Sequence, residues 1–438
     1  MNDISFNGLL IVSLIAVAAP ILVATVRWLK LPSVVLEIVA GIVVGPSGLG
    51  WVTVDEPIKI LSLVGLAFLL FLAGLEIDLM RLRGHLLRLA LAGFGVTLVL
   101  GATAGVGFHA LGWVHSPLFL AVALAATSLG LVVPVLKDAG QSETQLGQLT
   151  IAGASVADFG AVILLSLFFS QSSGSTTSRL ITLGGFVVAV VAITIGLLRV
   201  DRSVRLDAVL VRLQDTTAEI RVRIAVAMLI GFVALAAKVG LETILGAFIA
   251  GAVLNAVDRD TMSHPLFRAK LDAIGYGFLI PVFFVTSGLQ FDLKALTGSP
   301  SALVRVPLFL LALLLVRGVP AALYVPTLGR RGALVAAFLQ ATSLPFVVTA
   351  TTIGVAIHAV RPVTAAALVA AGLLSVVLFP LIALAVAGAA PALPSPTSPE
   401  APPPHPSPMG VPSAPATDPC SLRGENRTPL RKKRAGHA

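Results

Sequence analysis

Long apolar stretches recur almost from one end of the sequence to the other, and they limit the possible folds more than any other feature. A helix that crosses a bilayer needs roughly 20 mostly apolar residues, and many windows of this sequence meet that condition. Charged residues make up 12% of the chain, against about 25% in an average soluble domain. The alternating pattern of a transmembrane β-barrel is not seen. We therefore predict an all-α polytopic membrane protein.

The hydropathy pattern predicts about thirteen transmembrane helices. Their approximate limits are 8–29, 33–50, 57–79, 88–112, 117–137, 146–171, 180–200, 222–238, 241–256, 271–293, 303–325, 333–357 and 363–388. With the N-terminus outside and the C-terminus in the cytoplasm, most loop Lys and Arg residues fall on the cytoplasmic side, which is the positive-inside pattern. A miscounted helix would scramble this pattern, so we predict an odd number of helices in the cell membrane.

The composition changes after about residue 390. Residues 391–438 are rich in Pro, Ser and Ala and include the basic run Arg431–Arg434. Such a segment cannot form a packed core. We therefore predict a membrane domain over residues 1–390 and a disordered cytoplasmic tail whose basic end lies near anionic lipid.

Several other classes of function are disfavoured. The formal net charge of +9 does not indicate nucleic-acid binding, because the basic residues lie in short loops between apolar blocks. The single cysteine, Cys420, excludes an internal disulfide and a cysteine metal cluster, and the histidines show no metal-ligand spacing. The sequence contains no Walker-type phosphate loop. We expect a transporter without a cofactor or a nucleotide-binding domain, and not an enzyme.

The chain contains an internal repeat. Three pairs of similar segments follow in the same order at a nearly constant offset: Ala40-Gly41 with Ala250-Gly251, Gly74–Leu79 with Gly288–Leu293, and Ala126–Val133 with Ala341–Val348. The offset spans seven predicted helices, so the second copy enters the membrane from the opposite side, as in inverted-repeat transporters. We predict repeat one over about 8–171, a linking helix at 180–200 and repeat two over about 222–388.

One matched pair of segments predicts two interrupted helices. Both carry a Thr-Ser pair followed by a proline, which removes a backbone donor and clashes with the preceding turn. Paired interruptions in the two halves of a transporter point to its transport site; the alternative is a simple proline kink stabilised by neighbouring helices. The residues concerned are Thr127, Ser128, Pro134, Thr342, Ser343 and Pro345.

Asp158 lies almost at the middle of the predicted span 146–171. A charged aspartate there costs about 2.5–3.5 kcal/mol on insertion scales. Burial favours the protonated form of a carboxylate and a bound cation favours the ionised form, so one group binds either H⁺ or Na⁺/K⁺. That competition couples two opposite fluxes. The alternative is a structural aspartate that bonds a helix break or pairs with an arginine. Ser155, one turn earlier, is expected to face the same cavity.

Arg317 is the basic residue well inside a predicted span, 303–325. We predict a permanent counter-charge for Asp158 or for the carbonyl ends of the broken helices, since an arginine stays protonated. The alternative is snorkelling towards the interface. For Glu37, Glu76 and Glu242, which lie nearer the span ends, we expect interfacial or capping roles.

Five segments match a known family in the family's own order. They are Leu31–Pro46, Phe68–Glu76, Ala126–Ser128, Leu245–Gly251 and Ile280–Val285. Together they resemble the monovalent cation:proton antiporter-2 family, which contains the Kef-type systems and sodium/hydrogen exchanger membrane domains. The resemblance covers roughly residues 8–388.

This resemblance implies a sodium/proton antiporter-like fold with two crossed, broken helices, a separate dimerisation domain, an elevator-like alternation and a homodimer. It also implies that Asp158 is the essential aspartate and that Arg317 occupies a position where relatives carry lysine or arginine. The breaks of the two crossed helices match Thr127, Ser128, Thr342 and Ser343.

The sequence departs from this family at two places. Relatives often carry a polar residue directly before the essential aspartate, whereas this chain has Ala157. Kef-type systems also usually carry a C-terminal nucleotide-binding domain, whereas this sequence has the predicted tail. The first departure leaves the stoichiometry and the choice between Na⁺ and K⁺ open, and the second disfavours gating through such a domain.

The sequence therefore predicts a secondary active transporter that exchanges a monovalent cation for H⁺ by alternating access. Three alternatives stay open at this point: a gated potassium efflux pathway, a sodium-coupled organic-solute symporter on the same fold, and a membrane sensor. The inverted repeat disfavours the first, and an aromatic content of 6% disfavours a large organic cavity. The missing soluble signalling domain disfavours the third.

Overall fold

The computed structural model describes residues 6–25, 32–76, 84–169, 176–201, 219–257, 265–298 and 300–388. The predicted tail, 391–438, and several of the loop Lys and Arg residues that indicate orientation lie outside them. Within these residues the regular structure is helical, and the β-type contact is an isolated antiparallel bridge between Val114 and Val360. The predicted all-α fold class is confirmed.

The described helices are α1 (Asn7–Thr25), α2 (Ser33–Val44), α3 (Glu56–Leu75), α4 (Gly84–Ala110), α5 (Pro117–Ala125), α6 (Leu129–Asp138), α7 (Gln145–Phe169), α8 (Thr176–Asp201), α9 (Ile220–Val239), α10 (Thr243–Val257), α11 (Pro265–Ile274), α12 (Ile280–Leu289), α13 (Leu293–Thr297), α14 (Pro300–Gly318), α15 (Val325–Ala341), α16 (Pro345–Ala356) and α17 (Pro362–Gly388). A π-helical turn (Gly275–Leu279) joins α11 to α12, and a 3₁₀ turn (Val319–Tyr324) joins α14 to α15.

Many of these helices have the length and composition of membrane spans. Eight helical stretches of the described chain are long and apolar enough to cross a bilayer, and five shorter apolar helices accompany them. The number of crossings, predicted as about thirteen, and the orientation of the termini stay predictions.

The first broken span is formed by α5 and α6. Helix α5 ends at Ala125, residues Ala126 to Ser128 are extended, and α6 begins at Leu129. From Phe119 to Ala126 every side chain is at most 2% exposed. A helix that is apolar on all sides is expected in such a protein interior. The interruption therefore faces protein and not lipid, which is the condition for non-helical backbone at membrane depth.

The second broken span is formed by α15 and α16. Thr342 has extended backbone angles, with φ −70° and ψ 112°, and α16 begins at Pro345. A proline at the first helical position loses no hydrogen bond, because that N–H has no partner inside the helix. By contrast, Pro134 lies inside α6, beyond the first interruption. The two interruptions touch, since the Ser128 amide donates to the Thr342 carbonyl at 2.9 Å.

Helices α2 and α12 pack with their backbones in contact. A β-carbon at Gly41 of α2 would collide with the carbonyl oxygen of Val285, and one at Gly288 of α12 would collide with that of Ile38. Small residues permit this close approach between membrane helices.

Helices α3 and α10 pack in the same way. A β-carbon at Gly74 of α3 would collide with the carbonyl oxygen of Phe248, and one at Gly251 of α10 with that of Phe71. All four contact glycines belong to the matched segments of the sequence repeat. In each contact, a helix from one predicted repeat packs against a helix from the other.

Candidate functional site

The carboxylate of Asp158 binds the first helix interruption. Asp158 projects from α7, its Oδ1 accepts a hydrogen bond from the Thr127 amide at 2.9 Å, and its Oδ2 accepts one from the Leu129 amide at 3.1 Å. The first amides of a helix have no partner within that helix, and the positive end of its dipole favours an anion. The start of α6 is therefore a binding site for the ionised carboxylate.

Asp158 also faces a cavity of about 60 Å³. Thr127, Ser128, Tyr276 and Phe248 are among the residues that line it, and apolar side chains form most of the wall. Asp158 itself is 9% exposed. One water molecule needs roughly 10–15 Å³ of such volume, so the cavity has room for a small ion with water. Carboxylate oxygens keep lone pairs free after accepting one hydrogen bond each, and these are available to a cation.

Arg317 contacts this site through Thr127 and is 1% exposed. Its Nε donates to Thr127 Oγ1 at 2.7 Å, its Nη1 to Thr97 Oγ1 at 3.1 Å, and its Nη2 to the Gly153 carbonyl at 3.5 Å. The guanidinium therefore turns into the protein instead of snorkelling to an interface. Among the described residues its hydrogen-bond partners are neutral oxygens, so its charge acts on Asp158 through space and not through an ion pair.

The hydroxyl of Thr127 connects three parts of the site. It accepts from Arg317 and donates to the Gln340 carbonyl at 2.7 Å. Gln340 lies in the last turn of α15, and its Nε2 donates to the Tyr324 hydroxyl at 3.2 Å. The first interruption is thus tied to the helix that precedes the second.

Gly153 of α7 makes room for this network. A β-carbon there would lie 2.5 Å from Gln340 Nε2 and 2.6 Å from the Tyr324 hydroxyl oxygen. The sequence analysis missed Gly153, Tyr324, Gln340 and Thr97. Gln340 carried the best available signal, because it is a polar residue in an apolar helix directly before the Ala-Thr-Ser repeat.

The described polar groups of the second interruption make no hydrogen bond to Asp158, and the Ser343 hydroxyl is buried without a hydrogen-bond partner. Thr342 Oγ1 donates to the Phe338 carbonyl at 3.3 Å, and the Ser343 amide donates to Ser375 Oγ at 3.2 Å. Pro345 lines the cavity beside Ser128. The second interruption therefore contributes to the cavity through its shape, and it meets the first through the Thr342 carbonyl.

The remaining predicted acids and Ser155 occupy varied positions. Ser155 was expected to face the cavity; it is buried on α7 and is not among the described residues that line the cavity. Glu37, for which we expected an interfacial or capping role, lies inside α2 and is 4% exposed. Glu76 follows the last residue of α3, and its Oε2 is buried without a hydrogen-bond partner. The Glu242 amide donates to Ser166 Oγ at 3.2 Å.

Comparison with known proteins gives consistent matches. Residues 13–385 match the family described as sodium/hydrogen exchanger, transmembrane. The chain is 29% identical to the putative Na⁺/H⁺ antiporter YjbQ of Bacillus subtilis over 87% of its length, and the match spans 63% of that relative. It is 33% identical to the Na⁺/H⁺ antiporter of Enterococcus hirae, over 64% of this chain and 73% of that protein.

The fold also matches a solved structure. The sodium proton antiporter MjNhaP1 of Methanocaldococcus jannaschii superposes with a TM-score of 0.59 at 17% identity, over 86% of this chain and 95% of that one. At this identity the match supports the fold alone, and it confirms the predicted sodium/proton antiporter-like architecture.

Proposed function

Because the chain belongs to the transmembrane sodium/hydrogen exchanger family, we propose that it exchanges a monovalent cation, Na⁺ or K⁺, for H⁺ across the membrane. The observation that carries this proposal is the position of Asp158. Its carboxylate borders a cavity, and each of its two oxygens accepts a hydrogen bond from a backbone amide. The recognised relatives are named as Na⁺/H⁺ antiporters.

Competition at Asp158 provides the coupling. The ionised carboxylate accepts hydrogen bonds from the Thr127 and Leu129 amides, and its remaining lone pairs are available to a cation. Protonation removes the charge that attracts the cation, so H⁺ and the cation exclude each other at this group. Arg317 keeps a fixed positive charge nearby and favours the ionised form when no cation is bound.

Alternating access at this site requires the two helix interruptions to move together. The bonds from Ser128 to the Thr342 carbonyl and from Thr127 to the Gln340 carbonyl support such a unit. We infer that this unit carries Asp158 between the two sides of the membrane. Inverted repeats provide two related states for such a motion.

We further propose that residues 1–390 form this membrane domain and that residues 8–171 and 222–388 are the two inverted repeats, joined by the helix at 180–200. The reciprocal glycine contacts of α2 with α12 and of α3 with α10 support the repeat. We also propose a homodimer in the cell membrane, with the N-terminus outside and the predicted tail, 391–438, in the cytoplasm.

The test uses proteoliposomes that contain the full chain and a pH dye. Addition of Na⁺, K⁺ or Li⁺ to acid-loaded vesicles is expected to raise the internal pH. Asp158→Asn is expected to abolish this response, because an amide cannot hold and release the proton. Asp292→Asn is the matched control: Asp292 caps α13 through the Ala295 amide, and asparagine caps equally well.

The outcomes separate the competing functions. A wild-type dye response from Asp158→Asn would refute the assignment of the site. Cation flux without any proton movement would indicate a potassium efflux pathway. A response that requires an added organic solute would indicate a symporter.

A further inference from the structure

Two loops meet at the end of the bundle where α4 and α16 finish. Val114 and Val360 form the isolated antiparallel bridge. The amides of His115 and Ser116 both donate to the Ala359 carbonyl, at 3.2 Å and 3.3 Å. The loop before α5 and the loop before α17 therefore form one backbone-bonded platform, which consists of residues 111–116 and 357–361.

Arg305 of α14 is fixed against this platform. Its Nη1 donates to Thr364 Oγ1 at 2.9 Å, and that hydroxyl donates to the Trp113 carbonyl at 2.8 Å. The guanidinium carbon lies 4.9 Å from the centre of the Trp113 ring, a cation–π distance. The arginine is thus held in one position before any ligand arrives.

The platform carries positive charge that the described residues do not neutralise. Arg361 is exposed and directly precedes α17, three residues before Thr364, the hydrogen-bond partner of Arg305, so both arginines lie at this end of α14 and α17. Within the described part of the chain, no aspartate or glutamate forms an ion pair with either one, since the described ion pairs involve Lys59 and Lys270. Arg305 Nε is also buried without a hydrogen-bond partner.

Apolar surface continues directly from this charge. Val304, which precedes Arg305 in sequence, is 54% exposed, and Leu308, about one turn further along α14, is 38% exposed. In a membrane protein such side chains face acyl chains, whereas Trp and Arg near helix ends lie at the headgroup level. A ligand with a phosphate and an attached acyl chain matches both parts of this surface.

We propose that Arg305 and Arg361 form a binding site for the phosphate of an anionic membrane lipid. The planar guanidinium presents paired donors that match phosphate oxygens. The lipid phosphate would neutralise the positive charge of the two arginines, and the acyl chains of the lipid would cover the exposed face of α14. The site lies on the platform and not in the Asp158 cavity, so the inference does not depend on the transported ion.

The test measures thermal unfolding of the full chain in neutral detergent during titration with phosphatidylglycerol, phosphatidylcholine or inorganic phosphate. Phosphatidylglycerol is expected to raise the unfolding temperature at concentrations where the other two do not. Removing one basic charge is expected to weaken the apparent affinity about fivefold. Arg361→Gln decides the matter, because Arg361 is exposed and its loss leaves the Arg305–Thr364 bond intact.

Lys294→Gln is the control, because Lys294 is an exposed basic residue in the preceding helix, α13, outside the platform. The Lys294→Gln variant is expected to reach half of its stabilisation at the same phosphatidylglycerol concentration, the midpoint of the titration, as the wild type. An unchanged midpoint in Arg361→Gln would overturn the proposal. If inorganic phosphate raised the unfolding temperature as much as phosphatidylglycerol, the ligand would be a free anion and not a lipid. If phosphatidylcholine did so, the site would not require an anionic headgroup.

Discussion

Asp158 and Arg317 are connected through Thr127, whose two polar groups face opposite charges. The Thr127 amide donates to the Asp158 carboxylate at 2.9 Å, and its hydroxyl accepts from the Arg317 guanidinium at 2.7 Å. The acid and the base are therefore kept apart by a neutral residue at the interruption. This arrangement leaves the carboxylate open to the cavity, whereas a direct ion pair would have used the lone pairs that a cation needs.

Thr127→Val is expected to damage both stability and exchange. Valine has a similar shape but leaves Arg317 Nε and the Gln340 carbonyl without the hydroxyl that each now contacts. A hydrogen bond to a charged group contributes about 1.5–3 kcal/mol to the free energy of unfolding. Thermal unfolding and the dye assay measure the two effects. Thr127→Ser keeps the hydroxyl and is expected to retain most of both; equal losses in the two variants would show that the hydroxyl is not responsible.

Gly153→Ala is expected to destabilise the protein by about 1–3 kcal/mol, the usual cost of overpacking. The new methyl group collides with Gln340 Nε2 and the Tyr324 hydroxyl, both of which are buried. Gly231→Ala provides the control, because a β-carbon at Gly231 of α9 meets no atom within 4 Å. Alanine is also the better helix former, so the control is expected to match or exceed wild-type stability in the same unfolding measurement. Equal stability of the two variants would contradict the packing argument.

The sequence was sufficient to predict the fold class, the interrupted helices and the central acid, because each leaves a local signal. Apolar blocks specify spans, and the Thr-Ser pairs recur in both halves. The pairing of residues within the network around Arg317 leaves no local signal. Thr97 is 220 residues away from its partner Arg317, and Gln340 is 213 residues away from its partner Thr127. Such contacts are set by tertiary packing alone.

The prolines show where local reasoning is incomplete. The first interruption lies at Ala126 to Ser128, before Pro134, which remains inside α6. The backbone amides that the break leaves without a helical partner donate to the Asp158 carboxylate and to the Thr342 carbonyl. Distant acceptors, and not the missing proline donor, therefore stabilise the break, and the sequence does not reveal them.

Gly251→Ala is expected to separate α3 from α10. The added β-carbon collides with the backbone carbonyl of Phe71, and a backbone atom cannot rotate away as a side chain does. The predicted result is a loss of folded protein or a lower unfolding temperature, larger than that of Gly153→Ala, whose collisions involve side-chain ends. Gly95→Ala, at a position with no atom within 4 Å, serves as the control in the same expression and unfolding assays. A Gly251→Ala protein as stable as wild type would show that α3 and α10 can move apart to accommodate a methyl group at no cost in stability.

Exchange is expected to be electroneutral, with one cation moved for one proton. Among the described residues that line the cavity, Asp158 is the acid, and Arg317 remains protonated throughout. The site thus carries the same net charge whether it holds a proton or a monovalent cation. Na⁺-driven proton release from proteoliposomes, measured with and without an imposed voltage, tests this. A cycle that moved one net charge would change its driving force by about 2.3 kcal/mol for each 100 mV. A rate that follows the voltage would therefore require a second titratable group in the transport cycle, and Glu76, whose Oε2 is buried without a hydrogen-bond partner, would be the first residue to substitute.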